Sequence, residues 1–318
     1  MKGRSPIRKV AIAGAISLFA LVVFIGAPEK ARPDYTIRTE TRLVLLDVSV
    51  KNADGGFASG LSIDNFQVLE NGRPQKISVF DNHDVPVTVG ILVDESYSMT
   101  PKRADVLAAA QIFIEESNPH DEVFVLNFND AVTHGLPPGV LFSDNPEQLR
   151  AALYSGVPGG KTALNDAIVA GLEQLKLGRQ EKKTLVAISD GGDNASTHKR
   201  REMLDMAERS LATIYTVGLF DPEDQDRDPR ILERLAKLSG GAAYLPQSLK
   251  EMVPVCRNIA KDIRTRYTIG YVPPAQNGPE PRHIRVRVSS PDHARLIARC
   301  RSSYRYDETG DTKADSEQ

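Results

Sequence analysis

Tryptophan is absent from the 318 residues, and cysteine occurs only twice. Histidine is scarce as well: six are scattered along the chain, with neither an HExxH element nor a paired-histidine spacing. That excludes a hydrolytic zinc site of the helix-borne kind, which needs two imidazoles on one helix face. A GxGxxG element is missing too. Gly159-Gly160-Lys161-Thr162 has the ending of a phosphate-binding loop, but Gly156 stands too close to serve as its opening glycine, so the nucleotide reading fails on spacing. Nor is there an excess of positive charge. The formal net charge is −2, which excludes nucleic-acid binding through a bulk basic field. Cys256 and Cys300 fit no zinc or catalytic motif. In an oxidising compartment they either form one disulfide between a helix and a late strand or remain two separate buried thiols.

Long apolar runs are absent except at the amino end. Lys2, Arg4, Arg8 and Lys9 precede the uncharged stretch Val10–Ala27. This pattern is either a secretory signal or a single membrane span with its amino end in the cytoplasm. Pro28 and Glu29 make a cleavage site hard to place. Residues 1–35 are therefore expected to be a signal peptide or membrane anchor. Both readings place the remainder outside the cytoplasm, anchored at the cell envelope or secreted.

What is present is a spread-out set of hydroxyls and carboxylates: Asp94-Glu95-Ser96-Tyr97-Ser98, then Thr162, then Asp190. The apolar runs over 86–93 and 184–189 read as buried parallel strands, ending at Asp94 and Asp190. Open α/β sheets bind ligands at the carboxyl ends of their strands, so the three segments are expected to converge. Oxygen donors, few of them charged and none soft, are what a hard divalent cation takes. Ser96 and Ser98 also have a plainer use, as caps of the following helix.

Asp94-x-Ser96-x-Ser98, the threonine of Gly160-Lys161-Thr162 and the aspartate of Ser189-Asp190-Gly191 together resemble the metal-ion-dependent adhesion site (MIDAS) of von Willebrand factor type A (VWA) domains. The wording Asp94–Met99 is similar to integrin β-subunit I-like domains, but Thr100, Pro101 and Lys102 replace the acids that serve a second metal there. The resemblance implies Mg²⁺ or Mn²⁺, with Ca²⁺ as a further alternative, held by Ser96, Ser98 and Thr162 through hydroxyls and by Asp94 and Asp190 directly or through water. It implies a cation left electrophilic toward an Asp or Glu carboxylate of a protein partner. It also implies that the last helix of the domain moves when that ligand binds.

Around this motif the chain changes character. Residues 36–84 read as short β-strands, with Phe66–Glu70 and Gln75–Phe80 flanking the turn Asn71-Gly72. Residues 85–265 alternate strand and helix patterns, which predicts a doubly wound, mostly parallel sheet of VWA, Rossmann-like type. Residues 266–306 return to β, including a strand over 295–304, and are expected to complete one β-module with 36–84. The tail 307–318 is polar and acidic and reads as disordered. This order, with the hairpin segment over 64–77 and YTIGYVP over 267–273, resembles the VWFA-related domain family of acidobacterial genomes, over roughly residues 36 to 305.

Other features have plain readings beside functional ones. The aspartates at 221, 224, 226 and 228 lack the glycine of a calcium loop and read as a solvated loop. Arg282, Arg285, Arg287, Arg295, Arg299, Arg301 and Arg305 read as a charged outer strand face, or as a site for an anionic partner. Three functions compete: a metal-dependent protein-binding module at the cell envelope, a scaffold of an envelope complex, and a metal-assisted phosphoester hydrolase. The last needs a base beside the metal, and Glu95 and Asp193 are the acids left for that task. The reading favoured is the binding module, not an enzyme.

Overall fold

The apolar run that leads to Asp94 forms strand β5, Val87–Asp94, and all eight of its residues are buried. A strand covered on both faces is the centre of a layered α/β sheet. The computed structural model describes residues 43–220, 227–274, 281–290 and 295–305. Within them β5 pairs in parallel with β6, Glu122–Phe128, and with β8, Lys182–Ser189. Beyond β8 lie β9, Thr213–Gly218, and β10, Ala243–Tyr244. The antiparallel edge strand β7, Val132–His134, completes the order β10-β9-β8-β5-β6-β7. Chain order runs outward in both directions from the β5–β8 pair, so the topological switch point, where open sheets bind ligands, lies between the strands that end at Asp94 and Ser189.

Helices cover the sheet in two packed groups. Helix α1, Arg103–Glu115, packs against α2, Pro146–Tyr154, and against α6, Met252–Arg264. Helix α3, Leu164–Lys176, packs against α4, Arg200–Arg209, which meets α5, Pro229–Ser239. Starts and stops follow local chemistry. Asn145 caps α2 by accepting from the N–H groups of Glu147 and Gln148, and Asp228 caps α5, each ahead of a proline in the first turn. Gly240, with φ 82°, ends α5 in the left-handed conformation.

The flanking segments form two further sheets. One has the order β13-β1-β11-β4 and the other β14-β12-β2-β3, so each mixes strands from before and after the α/β region. Their ranges are β1 Val44–Asn52, β2 Phe66–Glu70, β3 Arg73–Gln75, β4 Ile77–Asp81, β11 Tyr267–Tyr271, β12 Arg282–Val288, β13 Leu296–Arg299 and β14 Ser303–Tyr304. A separate apolar core joins them, built on Leu46, Val48, Phe66, Val68, Tyr267 and Ile269. Buried Glu70 closes one end: it accepts from Tyr271 Oη (2.6 Å), Tyr304 Oη (2.8 Å) and Arg282 Nη1 (3.0 Å).

Several expectations change. The turn at Asn71-Gly72 is present, with φ of 47° and 78°, but its second strand is only Arg73–Gln75; the chain then crosses to β4 in the other sheet. Pro74 explains the short strand, because a proline cannot donate to a ladder and is tolerated only at an edge. The strand expected over 295–304 is likewise two strands on two sheets. The arginine run is a charged outer face only in part: Arg285 and Arg287 are exposed on β12, whereas Arg282 is buried on Glu70, Arg299 pairs with Asp262, and Arg305 pairs with Glu208. Cys256 is buried and Cys300 half-buried, and the two are unbonded. The stretch Val10–Ala27, the aspartates at 221, 224 and 226, and the tail lie outside the described residues. Among the described residues no helix is long and apolar enough to cross a membrane.

Candidate metal centre

Asp94 ends β5, and the chain beyond it turns sharply. The Ser96 N–H donates to Asp94 Oδ1 (2.9 Å), and Ser189 Oγ, from the end of neighbouring β8, donates to Asp94 Oδ2 (2.6 Å). Ser96 stands at the N-cap position of the short 3-10 turn Tyr97–Lys102, yet its side chain makes no capping bond. The hydroxyl faces another way: Ser96 Oγ lies 3.2 Å from Ser98 Oγ, and Ser98 Oγ donates to Asp190 Oδ2 at 2.5 Å. Asp190 Oδ1 accepts from the Gly192 N–H at 3.0 Å. Ser96, Ser98, Asp94 and Asp190 are thus brought together by hydrogen bonds across the switch point.

Thr162 is buried and arrives from the loop before α3. Its N–H donates to Asn194 Oδ1 (2.9 Å), and its carbonyl accepts from Asn194 (2.9 Å) and Ala195 (3.0 Å), which tie it to the loop after Asp190. On its other side the Gly160 carbonyl accepts from Tyr97 (3.1 Å) and the Gly159 N–H donates to the Glu95 carbonyl (2.6 Å). The threonine is therefore fixed between the two loops that carry the other four residues.

The donor set fits a hard dication. Octahedral Mg²⁺ has bonds of roughly 2.0–2.1 Å, which puts neighbouring ligand oxygens about 2.9 Å apart; the 3.2 Å and 2.5 Å separations among Ser96, Ser98 and Asp190 bracket that value. Burial raises the Asp94 carboxyl to about 6, with the Asp190 charge adding to the rise while bonds from Ser189 and Ser96 oppose it. A bound cation is the group that offsets such a cost. Among the described residues no three His, Cys, Asp or Glu side chains gather into a metal cluster, so any ion here depends on the hydroxyls.

The acids left over as bases are held by other partners, although Glu95 Oε1 is buried without a hydrogen bond. Glu95 is buried; its Oε2 takes Arg103 Nε at 2.6 Å, and Arg103 Nη2 donates to the Gly156 carbonyl at 2.9 Å. Gly156 permits this, since a Cβ there would lie 2.3 Å from Glu95 Oε1. Asp193 accepts from the Asn165 N–H and from Ser196 Oγ, fastening the loop to α3. Lys102, where a second metal would need an acid, donates to the Leu219 carbonyl at 2.9 Å. Sequence reasoning missed Ser189 and Asn194 as supports, and the Glu95–Arg103 clamp. Ser189 was legible as the last residue of an apolar strand; the other two depend on distant partners.

This arrangement, a doubly wound sheet with such a constellation at its switch point, defines a class of protein. Residues 89–192, from β5 to just past β8, match the family model of the von Willebrand factor type A domain. Among solved structures, a von Willebrand factor type A protein from Catenulispora acidiphila is 14% identical with a TM-score of 0.50, over 83% of this chain and 74% of that one. An aerotolerance-related membrane protein from Bacteroides fragilis is 15% identical with a TM-score of 0.45, over 56% of this chain and 98% of that one. Proximal thread matrix protein 1 of the mussel byssus, solved with a zinc-occupied MIDAS motif, is 17% identical with a TM-score of 0.46, over 57% and 49%. No curated protein matches the chain.

Proposed function

We propose that this chain is a metal-dependent protein-binding module of the cell envelope. Asp94, Ser96, Ser98, Thr162 and Asp190 would hold Mg²⁺ or Mn²⁺, or else Ca²⁺, as the resident ion. When bound, the dication supplies an electrophilic position that two carboxylates do not neutralise and that an Asp or Glu of a partner completes. The observation that carries this reading is the part-buried contact of Ser96, Ser98 and Asp190 oxygens at the switch point. The residues themselves do the positioning: Ser189 orients Asp94, Gly192 orients Asp190, and Asn194 holds Thr162. Hydrolysis is disfavoured, because Glu95 and Asp193 are spent on Arg103, Asn165 and Ser196. Membership of the VWFA-related family, and attachment through Val10–Ala27 or release after its cleavage, belong to the same proposal.

The test is calorimetric titration of Mn²⁺ and Mg²⁺ into the protein and into Asp94→Ala. One-site binding is expected, abolished in the variant with its circular dichroism unchanged. Capture of partners from envelope extract is expected with Mg²⁺ and not with EDTA. An unaltered Mn²⁺ titration in Asp94→Ala sinks the proposal. A scaffold role is the second reading, favoured by the ionic contact of Asp262 on α6 with Arg299 on β13, between the α/β layers and the flanking sheets. Chelator-insensitive co-purification with a membrane complex would decide for it.

A further inference from the structure

At the opposite end of the parallel sheet, where its strands begin, a cavity of about 530 Å³ opens between the VWA domain and the sheet containing β1, β4 and β11. That volume lies within the roughly 300–1,000 Å³ of small-molecule sites, which favour junctions of this kind. Its mouth carries four apolar side chains that no described residue covers: Leu43, Leu45 and Val79 are each more than a third exposed, and Leu211 is 72% exposed. Gly270, paired between Leu45 and Val79, lets those two side chains close over it: a Cβ there would lie 2.8 Å from the Val79 Cβ and 3.1 Å from Leu45 Cδ2.

The far end is different. Thr213, Ser239 and Arg301 line it, and each is more than nine-tenths buried. Arg301 Nη2 donates to the carbonyls of Glu208 (3.1 Å) and Ser210 (2.6 Å), but its buried Nε has no hydrogen-bond partner. Among the described residues no carboxylate pairs with it. The acids of the lining are elsewhere engaged or open to solvent: Asp47 lies 3.8 Å from Lys182, Asp81 pairs with His83, and Glu181 is exposed. Burial works against the Arg301 charge, and Glu208 and Asp47, which act on it without pairing, do not offset that; the unpaired donor adds to the cost. The acids near the mouth disfavour an anionic head there and favour it beside Arg301.

The geometry points to a binding site for an amphipathic carboxylate, with its head on Arg301 and its acyl chain along Leu43, Leu45 and Val79. This ligand is independent of the metal centre, which lies at the other ends of the strands.

The experiment is calorimetric titration of the purified protein, with EDTA present, using dodecanoate, dodecanol and dodecylamine below their micellar concentrations. One-site binding of dodecanoate is expected, about tenfold or more tighter than the alcohol or the amine. Val79→Trp, a change at a part-exposed position that fills the mouth, is expected to abolish it. Arg301→Gln, checked for folding by circular dichroism, is expected to erase the preference for carboxylate over alcohol. Failure of dodecanoate to bind, equal binding of dodecanol, or binding untouched by Val79→Trp each overturns the proposal. Dimerisation abolished by Val79→Trp, without uptake of dodecanoate, assigns the patch to a second copy and overturns it as well.

Discussion

Glu95 sits inside the metal-site motif, yet its carboxylate turns away from Asp94 and Asp190 and spans to Arg103, which in turn holds the Gly156 carbonyl. Its own carbonyl accepts from Gly159, so one residue fastens both ends of the segment leading to Thr162. Hydrogen bonds to charged partners contribute about 1.5–3 kcal/mol. Glu95→Gln is therefore expected to lower unfolding free energy by about that amount in urea titrations, and to weaken Mn²⁺ affinity while Asp94, Ser96 and Ser98 remain in place. The cysteines give a second expectation at this scale. Burial pushes the Cys256 thiol up to about 12 and the Cys300 thiol up to about 11, and thiolate is the reactive form. Neither is expected to react with a disulfide reagent at pH 8 in the folded protein; both should react in urea. Fast labelling of the native chain would contradict this.

At the scale of elements, β5 depends on close packing across the sheet as much as on its apolar residues. Gly90 faces Phe124 and Leu185, and a Cβ there would lie 2.3 Å from Phe124 Cζ and 2.7 Å from Leu185 Cδ1. Overpacking of a filled core costs about 1–3 kcal/mol, so Gly90→Ala is expected to lower the urea midpoint without changing the slope. A midpoint equal to that of the unsubstituted protein would show that Phe124 gives way freely. The α/β elements were legible because each carries its own signal. Apolar runs mark strands buried on both faces, helical periodicity marks the helices, and prolines with Asn145 or Asp228 mark helix starts. Where strands split, at Lys76 and at Cys300–Ser302, the local pattern continues while the hydrogen-bond partners change. Nothing in one segment records which sheet it joins.

Over the whole molecule, a buried ionic cluster joins the α/β layers to the flanking sheets. Asp262 on α6 accepts from Tyr215 Oη of β9 (2.9 Å) and pairs with Arg299 of β13. Arg266 reaches the carbonyls of Asp47 (3.2 Å) and Gly240 (2.7 Å). Burial opposes the charge on Asp262, but Arg266 and Arg299 overcome it and hold the carboxyl below the ordinary range. A carboxyl depressed in the folded state stabilises above its unfolded value, about 3.9, and that contribution is lost as pH falls through the folded value. The thermal midpoint is therefore expected to drop more steeply below pH 4 in the parent protein than in Asp262→Asn. Parallel pH profiles would remove Asp262 from the account. The same cluster tethers α6, so any movement of that helix on ligand binding must carry β1 and β13 with it or break these bonds.

The sequence by itself determined where most strands and helices form in the α/β region, that Asp94 and Asp190 stand at the carboxyl ends of buried strands, and that the candidate centre is made of oxygen. These follow from side-chain periodicity and from residue chemistry, which are local. Only the tertiary structure decided that the flanking strands interleave in two sheets and that Arg282, Arg299 and Arg305 are spent on Glu70, Asp262 and Glu208. It alone turned Glu95 into a clamp and left Arg301 facing a cavity. Those outcomes rest on contacts between residues far apart in the chain, and the energy of such contacts exists only once folding has brought both partners out of water.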